Sequence, residues 1–216
     1  MTKFFSPDGK FYGFMSRLTD ILKLNFLWLI CSLPVVTAGA ATIAAFSITL
    51  RMVEDTEGHI ARNFFKAFKS NLKQGIPMSF ITLLGAWAVY LNFEIFKNAD
   101  SPLFLATGIV SGYLFIFSLL YTYPLLARYE NTIINTLKNS FRISMKYFMR
   151  SFFILLIVAL EIVIIMWNTT TLFVGALIGP ACIIFTISGP AMAIFRLIDK
   201  ESANTGDSED SENSGG

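Results

Sequence analysis

The segment 152–195, FFILLIVALEIVIIMWNTTTLFVGALIGPACIIFTISGPAMAIF, carries one formal charge, Glu161. It divides into two apolar stretches, Phe152 to about Thr171 and Leu172 to Phe195. A helix crossing the hydrocarbon core of a bilayer needs roughly 20 mostly apolar residues, and each stretch has that length. Only the polar turn Asn168-Thr169-Thr170-Thr171 separates them, which permits a tight helical hairpin and little else. The whole chain agrees: of its 216 residues 54% are hydrophobic and 15% charged, against roughly 45–50% and about 25% in a soluble domain. Apolar side chains, 22 Phe among them, stand where a water-soluble surface would carry charge.

Working outward, Ile76 to Phe96 and Leu103 to Leu126 form a second pair of spans, separated only by residues 97–102. The first apolar stretch, Leu24 to Leu50, is long but interrupted by Pro34, which lacks an N–H and kinks or ends a helix. Thr37 is placed to N-cap a new helix beginning near Ala38, with Gly39 beside it. Upstream, Phe11, Phe14, Leu18, Ile21 and Leu22 share one face of a 100° wheel, and Lys10, Arg17, Asp20 and Lys23 the other. This amphipathic helix runs into the apolar stretch and suits the membrane interface or the start of a crossing helix. A cleavable signal peptide fits poorly, because the apolar core is too long and is preceded by Arg17, Asp20 and Lys23.

Lys and Arg accumulate on the cytoplasmic side of membrane proteins. Residues 51–73 hold five (Arg51, Arg62, Lys66, Lys69, Lys73), residues 128–150 hold five (Arg128, Lys138, Arg142, Lys146, Arg150), and the exit from the last span holds Arg196 and Lys200. The hairpin tips between them hold Lys97 alone. Both long loops and the C-terminus therefore face the cytoplasm. Lys3, Lys10, Arg17 and Lys23 draw the N-terminus to the same side, and an inside N-terminus cannot reach an inside Arg51 through one span. The expected architecture is all-α: a polytopic transmembrane bundle of five to six helices arranged as hairpins, with basic amphipathic cytoplasmic connecting helices. Three hairpins, the first short or partly re-entrant, are the expectation; five spans with the N-terminus outside are the rival. Residues 64–73 align with 137–146 as an internal repeat, of the kind found in transport folds and also produced by simple hairpin duplication. Residues 1–202 form one domain, and residues 203–216, rich in Ser, Gly, Asp, Glu and Asn, have the composition of a disordered acidic tail.

Two blocks give the chain a recognisable pattern. Asn25-Phe26-Leu27-Trp28-Leu29-Ile30-Cys31-Ser32-Leu33-Pro34-Val35-Val36-Thr37-Ala38-Gly39-Ala40-Ala41-Thr42 and Arg62-Asn63-Phe64-Phe65-Lys66-Ala67-Phe68-Lys69-Ser70-Asn71-Leu72-Lys73-Gln74 resemble the first and second blocks of the YesL-like family, small bacterial membrane proteins whose domain has no assigned function. The resemblance runs from about Phe4 to Glu201, the later hairpins matching mainly in hydropathy. It implies residence in the bacterial cytoplasmic membrane and an accessory role in carbohydrate uptake, because members often lie beside sugar-uptake genes. It brings no catalytic residues.

Glu161 stands out among individual residues. It lies eleven positions after Arg150, about 16 Å along a helix axis and near the bilayer centre. A carboxyl there is disfavoured by roughly 2.5–3.5 kcal/mol or more and marks a pathway or a paired interior site, unless it only glues helices through a hydrogen bond. Glu94 and Asn92, near the outer end of their span, reach the headgroups or join such a site. Asn25 is helix glue or a site beside the Pro34 break. The break itself, Pro34, Thr37 and Gly39, exposes backbone groups able to bind a solute or ion if shielded within the protein; Pro124, Pro180 and Pro190 mark further interruptions. Lys66, Lys69, Lys73, Arg142, Lys146 and Arg150 bind lipid headgroups or a partner, or simply enforce orientation. The Asn168-Thr169-Thr170 sequon lies too close to the membrane to weigh much.

Other chemistry finds no support. Cys31 and Cys182 lie in apolar runs and His59 has no Cys or His nearby, so no metal or cofactor is expected. A net charge of +2 indicates no nucleic-acid partner. The phosphate-binding loop Gly-x-x-x-x-Gly-Lys-Ser/Thr, His-Glu-x-x-His and the Gly-x-Ser-x-Gly elbow do not occur, and neither does the coupling-loop pattern of ABC importer permeases. The expected partners are the lipid bilayer and a membrane protein or a second copy of the chain. The leading expectation is a non-enzymatic accessory or regulatory component of solute uptake. The alternatives are a small transporter or channel lined by Glu161 and the Pro34 break, and a membrane enzyme using Glu161 or Glu94.

Overall fold

The computed structural model describes residues 10–56, 58–99 and 102–213. Among them all regular structure is helical: α1 (Lys10–Ser32), a 3-10 turn (Val35–Thr37), α2 (Ala38–Val53), α3 (Ile60–Ala99), α4 (Pro102–Leu120), α5 (Thr122–Arg128), α6 (Ile133–Lys146), α7 (Phe148–Met166) and α8 (Thr169–Asn213). Five segments are long and apolar enough to cross a membrane: Val35–Val53, Ile60–Lys97, Pro102–Arg128, Phe148–Met166 and Thr169–Glu201. The chain is a polytopic α-helical membrane protein.

The bundle is organised around α2. Of its apolar window 61% is buried inside the protein, against 11% for α3 and α7. Small side chains explain this: Gly39, Ala40, Ala41, Ala44 and Ala45 let neighbouring backbones approach closely, the usual basis of helix association in lipid. Leu24 from α1, Phe64 from α3 and Ile184 from α8 pack on one part of α2. Tyr121 and Leu125, with Met192 and Phe195 of α8, pack near Leu50. The remaining helices turn large apolar side chains outward, such as Leu84, Trp87, Leu160 and Phe173, as a surface solvated by acyl chains requires.

The first apolar stretch is a hairpin. Arg17 near the start of α1 donates to the carbonyl of Met52 (3.3 Å) and pairs with Asp55 just beyond α2. Towards the turn, Trp28 Nε1 donates to Thr42 Oγ1 (3.1 Å). The two helices are therefore antiparallel, folded at Leu33 and Pro34. The short α2–α3 connection holds Asp55 and Gly58 at φ of 55° and 60°, left-handed conformations that end α2 sharply. The charged ends of the helices meet at this end of the bundle: Arg17 with Asp55, Arg196 with Glu54, Arg128 with Asp199 and Lys146 with Glu201.

Several boundaries differ from the hydropathy reading. The Asn168–Thr171 turn is shorter than expected, because Thr169–Thr171 form the first turn of α8. Asn168 Oδ1 accepts the Thr171 N–H (2.9 Å) and Thr171 Oγ1 accepts the Asn168 N–H (3.0 Å), a reciprocal cap that starts the helix. The span Leu103 to Leu126 is interrupted at Tyr121, three residues before Pro124. The two copies of the repeat, residues 64–73 and 137–146, are both helical and both precede a hairpin, but they join it differently. The first copy runs unbroken into α3, a 40-residue helix, whereas the second is the separate helix α6, ended by Tyr147 at φ −111° and ψ 42°. The helical backbone of α8 continues to Asn213, into the segment that composition assigns to a solvated tail. Side chains beyond Glu201, and residues 214–216 altogether, lie outside the described residues.

Candidate intramembrane site

A polar group in hydrocarbon must find its partner inside the protein, so tracing those partners locates any group left over. Asn25 is fully buried on α1. Its side-chain amide enters the backbone of α8: Nδ2 donates to the carbonyls of Ala176 (3.2 Å) and Leu177 (2.8 Å), and Oδ1 accepts the N–H of Ala181 (3.0 Å). The cause is Pro180. It has no N–H, so the carbonyl of Ala176 four residues earlier loses its helical donor, and Asn25 replaces it. Asn25 is helix glue in a specific sense, closing the break at Pro180 rather than the one at Pro34.

Tyr121 shows the same device. Its N–H goes to Ser140 Oγ (3.2 Å), and Ser144 Oγ donates to the carbonyl of Phe117 (2.7 Å), so two hydroxyls of α6 satisfy the break between α4 and α5. Thr136, Ser140 and Ser144 are all buried. They recur every fourth residue and form one stripe of α6. The spacing is present in the sequence, but it runs in step with the more conspicuous Lys138, Arg142 and Lys146 of the basic face. Tyr121 Oη and Ser151 Oγ share a further buried hydrogen bond (3.1 Å), as do Thr49 and Ser188 (2.6 Å).

The Pro34 break is closed in a similar way. Thr37 occupies the N-cap position of α2, but its side chain does not cap that helix. Its hydroxyl donates backward to the carbonyls of Cys31 (2.7 Å) and Pro34 (2.9 Å), satisfying the end of α1. The buried N–H of Gly39, in the first turn of α2 where no helical carbonyl precedes it, is taken by Ser79 Oγ of α3 (2.7 Å). The contact is tight: a Cβ on Gly39 would lie 2.3 Å from the Gly75 carbonyl oxygen, and one on Gly75 would lie 2.4 Å from the Ala40 backbone. Glycine at both positions is thus required by helix packing.

Glu161 is different. Thr186 Oγ1 of α8 donates to its Oε1 (2.6 Å), while its buried Oε2 has no hydrogen-bond partner. Ser32 Oγ is the other such atom among the described residues. Glu161 lines a cleft of about 430 Å³ between α7 and α8, with Thr170, Thr171, Val174, Gly175 and Cys182 along it. Its remaining walls are largely apolar, so the carboxyl is its main polar feature. Gly175 and Gly179 receive the side chain of Ile165, which sets the spacing of the two helices there. Pro34, Thr37 and Gly39 do not line this cleft.

The other sequence-level candidates separate from this site. Asn92 donates to the Ala88 carbonyl within α3 (2.9 Å) and accepts from Thr107 Oγ1 of α4 (3.4 Å), a bond that fastens the α3–α4 hairpin near its tip, while Glu94 pairs with Lys97 within α3 (3.3 Å). Lys66, Lys69 and Lys73 form an exposed stripe on α3. Arg142, Lys146 and Arg150 are exposed on α6 and α7, with Lys146 and Arg150 both over the Tyr147 ring. The bond to Glu201 raises the Lys146 pKa. Tyr129, which donates to Asp199 Oδ1 (2.8 Å), has its pKa pushed up to about 12, first by burial and then by that bond, because both oppose the phenolate.

Residues 21–93 match the model of a family described as a protein of unknown function, DUF624. The match takes in Asn25, the Pro34 turn, the Gly39–Gly75–Ser79 contact and the Lys66–Lys73 stripe, about a third of the chain, and leaves Glu161 outside. No curated protein and no solved structure matches the chain.

Proposed function

We infer that this chain is a non-enzymatic accessory component of solute uptake, carbohydrate uptake in particular, and that it engages a partner membrane protein sideways through the α7–α8 cleft. The observation that carries the reading is Glu161 Oε2, a buried acceptor without a donor on the wall of an apolar cleft. Polar groups elsewhere in the spans are used to close helix breaks and fasten helices, which leaves little to line a solute path. A transmembrane helix bearing a hydrogen-bond donor complements this cleft, because a shared hydrogen bond in lipid relieves an unpaired group. Support for uptake, and for the bacterial cytoplasmic membrane, comes from the resemblance of residues 25–42 and 62–74 to the YesL-like family. Charge bias puts both termini in the cytoplasm, and side-selective reporters fused to each end test that orientation.

Val174 is exposed on the cleft. A cysteine introduced there should cross-link to another membrane protein in native membranes, and Glu161→Leu should weaken the adduct while the chain still inserts. The purified chain alone in liposomes should carry no solute. Uptake by the reconstituted chain that disappears in Glu161→Gln would overturn this reading and establish a transporter.

A further inference from the structure

At the charged end of the bundle a second cavity, of about 450 Å³, lies between α6, the connection before it and the end of α8. Its size is that of a ligand pocket, roughly 300–1,000 Å³. The floor is apolar, with Leu125, Ile143, Phe195 and Ile198, and the rim carries Arg142, Asn131 and Asn139. Acidic and basic groups on its edge are already matched. Asp199 accepts from Arg128 (2.9 Å) and Tyr129, and Glu201 pairs with Lys146. Arg142 is the lining cation that no carboxylate among the described residues neutralises. The position of the cavity is equally informative. Leu125 and Phe195 belong to segments apolar enough to cross a membrane, while Asn139 and Arg142 belong to the amphipathic helix α6, so apolar span residues and polar residues of a basic helix meet in one cavity.

We propose that this cavity binds the phosphate ester of an anionic phospholipid, with Arg142 and the two asparagine amides on the phosphate and the apolar floor under the start of an acyl chain. A guanidinium suits this role because its fork of donors matches two phosphate oxygens at once. The two lining carboxylates, being neutralised, do not repel the anion. The proposal is independent of the α7–α8 cleft.

The test uses the full chain in mixed micelles of phosphatidylcholine, titrated with phosphatidylglycerol, with the thermal unfolding midpoint as readout. Phosphatidylglycerol should raise the midpoint. Arg142→Gln should weaken apparent binding about tenfold, the usual order for one charge-assisted contact, and leave the midpoint in phosphatidylcholine near that of the wild type. Arg62→Gln, which removes an equal charge at an exposed position outside the cavity, should leave the response intact. Equal losses from the two variants would show surface attraction and overturn the proposal, as would an absent response to phosphatidylglycerol. Soluble glycerol phosphate producing the full shift would overturn the assignment to lipid. If Arg142→Gln fails to fold, Asn139→Leu and mass spectrometry of co-purified lipid replace it: the wild type should retain phosphatidylglycerol and the variant should lose it, and equal retention overturns the proposal.

Discussion

The bond between Asn25 and the Pro180 break yields a prediction whose size follows from the geometry. Asn25→Leu keeps a side chain of similar bulk and removes three hydrogen bonds to α8. Two of the released groups, the Leu177 carbonyl and the Ala181 N–H, are four residues apart and can pair with each other as in any α-helix. The Ala176 carbonyl has no such recourse, since its helical donor would be position 180, a proline. One orphaned buried acceptor costs about 1–3 kcal/mol, the expected loss of stability for Asn25→Leu. Pro180→Ala restores an N–H at that position, so in that background the same change should cost less than about 1 kcal/mol. The assay is reversible unfolding in mixed micelles for both single variants and the double variant. A loss below about 0.5 kcal/mol for Asn25→Leu, or simple additivity of the two substitutions, would refute the account of Asn25 as substitute donor.

Gly39→Ala forces a methyl against the Gly75 carbonyl oxygen and Ser79 Oγ, and should destabilise by about 1–3 kcal/mol; tolerance of the change in the same assay would show that α2 and α3 separate freely. Ser144→Ala leaves the Phe117 carbonyl without its hydroxyl donor and should cost about 1–3 kcal/mol, with faster amide exchange at the start of α5 as its local signature. Tyr129 should remain protonated well beyond the ordinary tyrosine range. Its folded pKa lies above the unfolded value, so its contribution to stability is complete below about pH 10 and fades as pH rises through about 12. Absorbance titrations of the wild type and Tyr129→Phe should therefore coincide up to about pH 11 and diverge above it; divergence near pH 10 would contradict the Tyr129–Asp199 bond.

Much of the fold was legible because lipid imposes few solutions. Apolar runs such as 103–126, without a charge, and 152–195, with Glu161 as its one charge, must become helices, since a helix closes its own backbone hydrogen bonds in hydrocarbon, and the short polar gaps after Phe96 and Met166 leave no geometry but a hairpin. The first hairpin was readable from Pro34 combined with the charges at Arg17 and Arg51. Boundaries were less so: hydropathy cannot distinguish the apolar start of α7 at Phe148 from the spans around it, and it does not register a break such as Tyr121 that costs no apolar residue.

The sequence by itself determined that this chain lives in a bilayer, as helices, with its basic residues gathered at one end, because these follow from composition and from the order of charges along the chain. It also singled out Glu161, Asn25 and the Pro34 turn as polar or broken places in apolar surroundings. Only the tertiary structure decided what each does. Asn25 serves a proline 155 positions away, Ser79 caps α2 from α3, and Glu161 is left holding a spare acceptor in a cleft. The physical reason is that a buried polar group is defined by its partner, and partners distant in sequence meet only when the helices pack.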